Sequence, residues 1–215
     1  MSESLRINEI FYSIQGESTY AGLPCVFIRL MGCNLRCRYC DTAYAFYEGQ
    51  EHTFAEILER VERYDCKLVE ITGGEPLIHK NVLPFMEMLC DRGYEVLLET
   101  GGHMDISKVD KRVRRIMDIK CPSSGESQKV RWQNLDELKE TDQLKFVLGT
   151  REDYLWAREV IVKHGLAERC PILFSPVFGK IDYATLAGWI LEDRLPARLQ
   201  LQLHKLIWPE QERGV

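Results

Sequence analysis

The sequence predicts an α/β fold: an incomplete parallel β/α barrel of about six core strands, open on one side. Three observations carry that expectation. Short runs rich in β-branched and aromatic residues alternate with helix-period stretches almost throughout, as right-handed βαβ units around a parallel sheet require. At 215 residues the chain falls short of the ~250 of a complete eight-fold barrel. The polar, glycine-bearing turns come directly after apolar runs, at the strand ends where such folds carry their chemistry. No repeat, low-complexity tract or linker interrupts residues 1–215, which read as a single domain.

Taken in order, residues 7–13 form a short strand leading into the turn Ile14-Gln15-Gly16-Glu17-Ser18. Residues 23–30 form a buried strand, with a cysteine loop at its C-terminal end. Thr53-Phe54-Ala55-Glu56 is a capping box, and Phe54, Ile57, Leu58 and Val61 then share one helical face. Residues 67–72 are the next strand, running into Gly73-Gly74-Glu75-Pro76. Asn81 caps a helix through about Arg92, with Gly93 as its left-handed stop. Residues 95–100 are a strand, 105–114 a short helix and 115–120 a strand, broken by Cys121-Pro122-Ser123-Ser124-Gly125. A short helix at 134–140, a strand at 143–148 and a helix at 151–164 stopped by Gly165 follow. Residues 171–175 are a strand and 182–192 a helix. The alternating run at 198–203 is a strand with one wet face.

Composition narrows the function classes. A net charge of −5 argues against a nucleic-acid surface. No apolar run reaches the ~20 residues that cross a bilayer, and the segment Met1-Ser2-Glu3-Ser4-Leu5-Arg6 has no apolar signal core, so a cytoplasmic protein is expected. Eight cysteines are then thiols or ligands rather than disulfides. Cys25, Cys66, Cys90 and Cys170 lie mostly beside apolar residues and read as small buried hydrophobes.

Cys33, Cys37 and Cys40 are different. Three thiolates at C-x3-C-x2-C spacing repel one another and oxidise easily unless a soft cation or cluster holds them. Zinc and cubane clusters both want four ligands. No second CxxC and no nearby His completes the set. Three protein ligands leave one iron of a cluster open to a small molecule. A structural zinc site and a plain electron carrier remain compatible with the spacing alone.

That loop, with Tyr39 before its last cysteine, resembles the signature of radical S-adenosylmethionine enzymes. The resemblance implies a [4Fe–4S] cluster on Cys33, Cys37 and Cys40, S-adenosylmethionine on its open iron, and a partial barrel, in agreement with the strand pattern. Gly73-Gly74-Glu75-Pro76 is similar to the GGEP motif of those enzymes, which places Gly74 beside the methionine amino group, with Gly73 and Glu75 as neighbours and Thr72 facing substrate. By themselves these four residues are equally an ordinary strand–helix turn.

Further stretches resemble the 7-carboxy-7-deazaguanine synthase family: Phe11-Tyr12-Ser13-Ile14-Gln15-Gly16-Glu17-Ser18, Phe27-Ile28-Arg29-Leu30, Cys40-Asp41-Thr42, Glu99-Thr100-Gly101-Gly102 and Leu203-His204-Lys205. This resemblance implies a carbon–nitrogen lyase of queuosine and 7-deazapurine biosynthesis. It would contract the ring of 6-carboxy-5,6,7,8-tetrahydropterin to 7-carboxy-7-deazaguanine with loss of ammonia. Ile14, Gln15, Gly16, Glu17, Arg29, Thr72 and His204 are then expected to hold the pterin, and a guanidinium at Arg29 suits its carboxylate. Gly74, Thr100, Cys121, Pro122, Ser123, Ser175, Pro176 and Val177 are expected at S-adenosylmethionine. Thr42 is expected at a Mg²⁺ ion, with the stronger charge of Asp41 beside it. A donor such as flavodoxin and a homodimer are also implied. Ser18 replaces the family's glycine, and the chain continues through Glu210 to Val215 past Pro209, where some members end. The rival readings are a glycyl-radical-enzyme activating enzyme, which shares the cluster loop, and a non-enzymatic zinc or iron–sulfur module, which needs a fourth protein ligand.

Overall fold

Strand β1 (Ser4–Ile14) pairs antiparallel with β2 (Pro24–Leu30) on one side and with β3 (Gln50–Thr53) on the other. From β2 onward every neighbour is parallel: β4 (Leu68–Gly73), β5 (Glu95–Thr100), β6 (Arg114–Asp118), β7 (Gln143–Leu148), β8 (Ile172–Pro176) and the two-residue β9 (Arg198–Leu199). The order β3-β1-β2-β4-β5-β6-β7-β8-β9 leaves β3 and β9 as separate ends, so the sheet is an open, partial barrel. Six full parallel strands match the expected core; the antiparallel β1–β3 flap adds to it. The computed structural model describes residues 3–215; Met1 and Ser2, part of the expected leaderless start, lie outside the described residues.

The helices follow from local signals. In α1 (Phe54–Glu62), the Thr53 hydroxyl accepts the Glu56 amide at 3.3 Å and the Glu56 carboxylate accepts the Thr53 amide at 2.8 Å, the expected capping box. The start of α3 (Arg151–His164) is capped by Thr150, and Gly165 closes it at φ 59°. For α4 (Tyr183–Glu192), Asp182 accepts the Thr185 amide at 3.0 Å. Helix α2 (Val82–Asp91) lacks the expected side-chain cap: the Asn81 amide donates instead to the Ser4 carbonyl at 3.0 Å, tying the helix to β1.

Four other expectations are corrected. Of residues 105–114, expected as a helix, 105–113 form turns and Arg114 opens β6. Asp105 and Asp110 accept the Ser107 and Arg112 amides at 2.9 and 2.8 Å, drawing the backbone out of helical pairing. The helix expected at 134–140 is a 3₁₀ segment, Trp132–Glu137. The strand expected at 198–203 stops after Leu199, and its tail coils into the short helix α5 (Leu203–Ile207). Cys66 and Cys90 are only half-buried, unlike Cys25, Cys121 and Cys170.

Alternation along each strand divides the sheet into two faces. Val26, Ile28, Val69, Ile71, Val96, Leu98, Met117, Leu144 and Phe146 pack beneath the helices. On the concave face Phe11, Cys25, Phe27, Leu68, Leu97 and Ile116 form an apolar floor, with Phe11 and Phe27 stacked at 4.8 Å. Two residues further along the same strands the face turns polar: Arg29, Glu70, Glu99 and Asp118. The floor therefore supports a charged layer at the strands' C-terminal ends.

One buried ion pair fixes the middle of the sheet. Asp142, fully buried, accepts the Arg115 amide at 3.0 Å, the Arg115 guanidinium at 2.9 and 2.5 Å and the Lys139 amide at 2.9 Å. Removing one partner strands the other charge, so Asp142→Ala is expected to lower unfolding free energy by about 3–5 kcal/mol in chemical denaturation; a loss under ~1 kcal/mol would contradict this assignment.

Candidate active site

A cavity opens at the C-terminal ends of the parallel strands, and the cysteine loop forms one wall of it. The loop leaves β2 through Gly32, whose amide donates to Ala45 at 2.8 Å and whose carbonyl accepts the Glu75 amide at 2.9 Å. Arg36 braces it: its guanidinium donates to the Cys33 and Leu35 carbonyls at 2.7 and 2.6 Å and lies 4.4 Å from the Phe46 ring centroid. Cys33, Cys37 and Cys40 all line the cavity and are half-buried. Burial pushes the Cys33 thiol up, and takes Cys37 to about 11.

Two observations bear on what these thiols hold. Among the described residues, no group of three or more His, Cys, Asp or Glu side chains is arranged to hold a single metal ion. The loop presents three soft sulfurs to the cavity, the donor chemistry of an iron–sulfur cluster, with the oxygens of Asp41 and Thr42 beside them.

The Gly73-Gly74 turn is pressed directly against that loop. Gly73 sits at φ 137°, open to glycine, and a Cβ at Gly74 would collide with the Gly32 carbonyl and the Cys33 side chain. Glu75 is buried and ties this turn to the next one: it accepts the Leu77 amide at 3.1 Å, the Gly101 amide at 2.8 Å and the Thr100 hydroxyl at 2.9 Å. Its role is structural bracing of two strand-end turns. Thr100 reaches the cavity with its hydroxyl committed to that brace.

The opposite wall is the turn after β1. Gln15 is buried; its Oε1 accepts the Glu17 amide at 2.8 Å and its Nε2 donates to Glu70. The Gly16 carbonyl accepts the Leu203 amide at 2.9 Å, and the His204 ring lies where a Gly16 side chain would be. Arg29 lines the cavity with its Nε paired to Glu9 at 2.7 Å; Tyr44 shares that carboxylate at 2.9 Å. Ile14, Thr72 and Thr42 also line it, and the Thr42 hydroxyl lies 3.8 Å from the Cys40 sulfur. Asp41 is paired with Lys205 at 2.6 Å. The Gly214 amide reaches Glu9 at 3.2 Å, and Val215 joins the rim.

The later turns are divided. Val177 lines the cavity, whereas Cys121, Pro122, Ser123, Ser175 and Pro176 do not. Cys121 is fully buried among core residues with its thiol on the Ile119 carbonyl at 3.8 Å, and Ser123 is bound through its amide and hydroxyl to Asp153.

Sequence reading missed the charges between the two walls. Lys145, on β7, is the centre of a buried cluster, 2.9 Å from Glu17 and 2.9 Å from Glu99. Gln202 donates to the other Glu17 oxygen at 2.8 Å. Lys120 pairs with Asp118 at 2.7 Å beside the cysteine wall. A signal was present: an inward-facing charged residue interrupts each of the apolar runs, Glu70 in LVEIT, Glu99 in VLLET, Asp118 in RIMDIK and Lys145 in QLKFVL.

Electrostatics follow the burial. Burial pushes the Glu99 carboxyl up, and the same effect, with Glu99 beside it, takes Glu70 well above its ordinary value. Burial also acts against ionised Glu17, but Lys145, Gln202 and His204 outweigh it and hold that carboxyl below its ordinary value. Lys145 is the counter-charge on which this arrangement depends. Lys145→Met is expected to destabilise the fold by about 3 kcal/mol near neutral pH, with the deficit shrinking towards pH ~5. Without the ammonium the folded carboxyls lie above their unfolded values, so stability is lost as pH rises. Denaturation midpoints across that range, with a deficit constant in pH counting against the assignment, provide the check.

Comparison with known proteins agrees with this geometry. Residues 28–123 match the Radical SAM superfamily. A 7-carboxy-7-deazaguanine synthase from Chlorobaculum tepidum is 50% identical over 98% of this chain and 97% of its own length. One from Koribacter versatilis is 45% identical over 98% of this chain and its full length. The crystal structure of QueE from Escherichia coli superposes with a TM-score of 0.76 at 23% identity, covering 93% of this chain and 94% of that one, a likeness of fold. Identity of this extent along nearly the whole length, together with thiols, glycine turn and Gln-Gly-Glu turn around one cavity, places the chain in the 7-carboxy-7-deazaguanine synthase family.

Proposed function

We propose that this chain contracts the ring of 6-carboxy-5,6,7,8-tetrahydropterin to 7-carboxy-7-deazaguanine with release of ammonia. The observation that carries the reading is one cavity with three cysteine thiols on one wall and Gln15, Gly16, Glu17, Arg29 and His204 on the other. Cys33, Cys37 and Cys40 would hold a [4Fe–4S] cluster. That group, with S-adenosylmethionine bound, supplies the one-electron chemistry that delivers a hydrogen-abstracting carbon radical.

The chain's own residues bind and orient. Arg29 has its Nε fixed by Glu9, which aims the terminal nitrogens of the fork; these suit the substrate carboxylate. Glu17, kept ionised, accepts hydrogen bonds from the amino and ring N–H groups of the pterin edge. The Gly16 backbone and His204 close over that edge together, since each occupies space the other leaves. Gly74 lets the backbone approach the amino group of S-adenosylmethionine. Of the later turns, Val177 is the contact best placed for that cofactor.

Thr42, its hydroxyl 3.8 Å from the Cys40 sulfur, would offer a hard oxygen to a Mg²⁺ ion, which would supply charge to hold the substrate carboxylate. Asp41, neutralised by Lys205, is a strut rather than a ligand. A flavodoxin-type donor, a cytoplasmic location and a homodimer complete the reading; no helix among the described residues is long and apolar enough to cross a membrane. An activating enzyme for glycyl radicals would leave Arg29 and the Gln-Gly-Glu turn without a carboxylated ligand.

Anaerobically reconstituted, reduced protein incubated with S-adenosylmethionine and the carboxypterin is expected to form the deazaguanine acid, identified by mass. Arg29→Lys, which keeps charge but loses the fork, is expected to raise KM for the carboxypterin about tenfold or more. Absence of product from iron-replete wild-type protein would refute the assignment.

A further inference from the structure

We infer that Glu70 is a positioning residue for substrate recognition: it locks the side-chain amide of Gln15 in one orientation, so that Gln15 reads one order of donors and acceptors on the ligand. The inference rests on the function proposed above, because it takes the pterin edge as what Gln15 meets.

Gln15 is 2% exposed and is held at both ends. Its Oε1 accepts the Glu17 amide at 2.8 Å, and only an oxygen can stand opposite an N–H. The NH₂ end therefore faces Glu70, whose carboxyl oxygen accepts from it. Glu70 projects from β4 on the concave face, 4% exposed, two residues before Thr72, and lines the cavity. The two contacts reinforce one another, and both exclude the flipped amide. Glu70 lies 55 residues from Gln15 and meets it because β1 and β4 flank the same strand, β2, in the sheet.

The chemical consequence is selectivity. A free carboxamide flips and accepts either order of donor and acceptor on a heterocycle edge. A clamped one accepts a single order, and pays no ordering cost when ligand arrives. The carboxypterin carries an amino group on its pyrimidine ring; its 2-oxo analogue presents an acceptor at that place. The Glu17 and Glu99 carboxyls beside it favour the edge with more N–H donors. Glu70 thus acts through Gln15.

The test uses the full reconstituted protein without reductant, so that ligand binds without turnover. Dissociation constants for the carboxypterin and its 2-oxo analogue are measured by calorimetry for wild type, E70Q, E70L, Q15L and Q15L/E70L. Glu70→Leu is expected to weaken carboxypterin binding about tenfold and to shrink discrimination against the 2-oxo analogue, because a buried NH₂ loses its acceptor. Glu70→Gln keeps an acceptor oxygen and is expected to restore affinity to within about threefold. In the Q15L background, E70L is expected to change affinity less than about twofold, the non-additivity of residues acting as one unit. Iron content and S-adenosylmethionine affinity, unchanged in all four variants, exclude a general structural loss. Equal binding by E70L and wild type, or additive effects in the double variant, overturns the role of Glu70. Wild-type protein that takes up S-adenosylmethionine but not the carboxypterin overturns the function proposed above instead. If E70L does not fold, E70Q and E70M are compared in its place, with an equal loss in both overturning the clamp.

Discussion

A single ammonium group organises the interior. Lys145 stands 2.9 Å from both Glu17 and Glu99, within a layer that also holds Glu70 and Asp118. Burying several carboxyls in one cavity is costly unless a counter-charge and hydrogen bonds meet them. Lys145 supplies that charge from the middle of the sheet, and in doing so it pulls the turn after β1 onto the strand ends. The wall formed by the turn after β1 exists because the sheet can neutralise it. Had β7 carried an apolar residue there, Glu17 would face two acids with no cation between them.

The second constraint is distance between backbones. The cysteine loop and the Gly73-Gly74 turn are adjacent because no side chain stands between them: the Gly74 Cα–H faces the Gly32 carbonyl. Glu75 then carries the register to the turn after β5 through Thr100 and Gly101. Three consecutive strand ends are thereby linked by one carboxyl and a close approach of main chains. Such linkage holds a cavity wall in place without burying further apolar area. It also separates roles that a motif compresses: in the Gly-Gly-Glu-Pro stretch, the glycines shape the approach to ligand, and the acid braces the neighbouring loops.

Much of this was legible in the sequence, for identifiable reasons. Period-two and period-3.6 patterns reveal which residues are buried, so β4, β5, β7 and α3 were found within a residue or so at either end. The Thr53–Glu56 box is wholly local and was read completely. Residues 105–114 were misread because Asp105 and Asp110 compete for backbone amides, a contest that periodicity does not reveal. The site divided along the same line. Cysteines, glycines and Arg29 announce themselves by spacing or by motif. Glu70, Glu99 and Lys145 gain meaning from one another, across 46 residues for Lys145 with Glu99 and 128 for Lys145 with Glu17. Cys121 and Ser123 sit in the turn after β6 and Ser175 near the end of β8, but the Cys121 side chain lies in the core, Ser123 is bound to Asp153 of α3 and Ser175 is buried.

The bonds that α5 and the residue before it make bear on when the molecule becomes whole. Lys205 meets Asp41 across 164 residues, and Gln202 meets Glu17 across 185. A ribosome adding roughly 5–20 residues each second delivers the cysteine loop many seconds before the segment that seals it. Through that interval the turn after β1 and the cysteine loop lack these C-terminal partners. The two walls of the cavity are therefore tied together only once the α5 segment has been made.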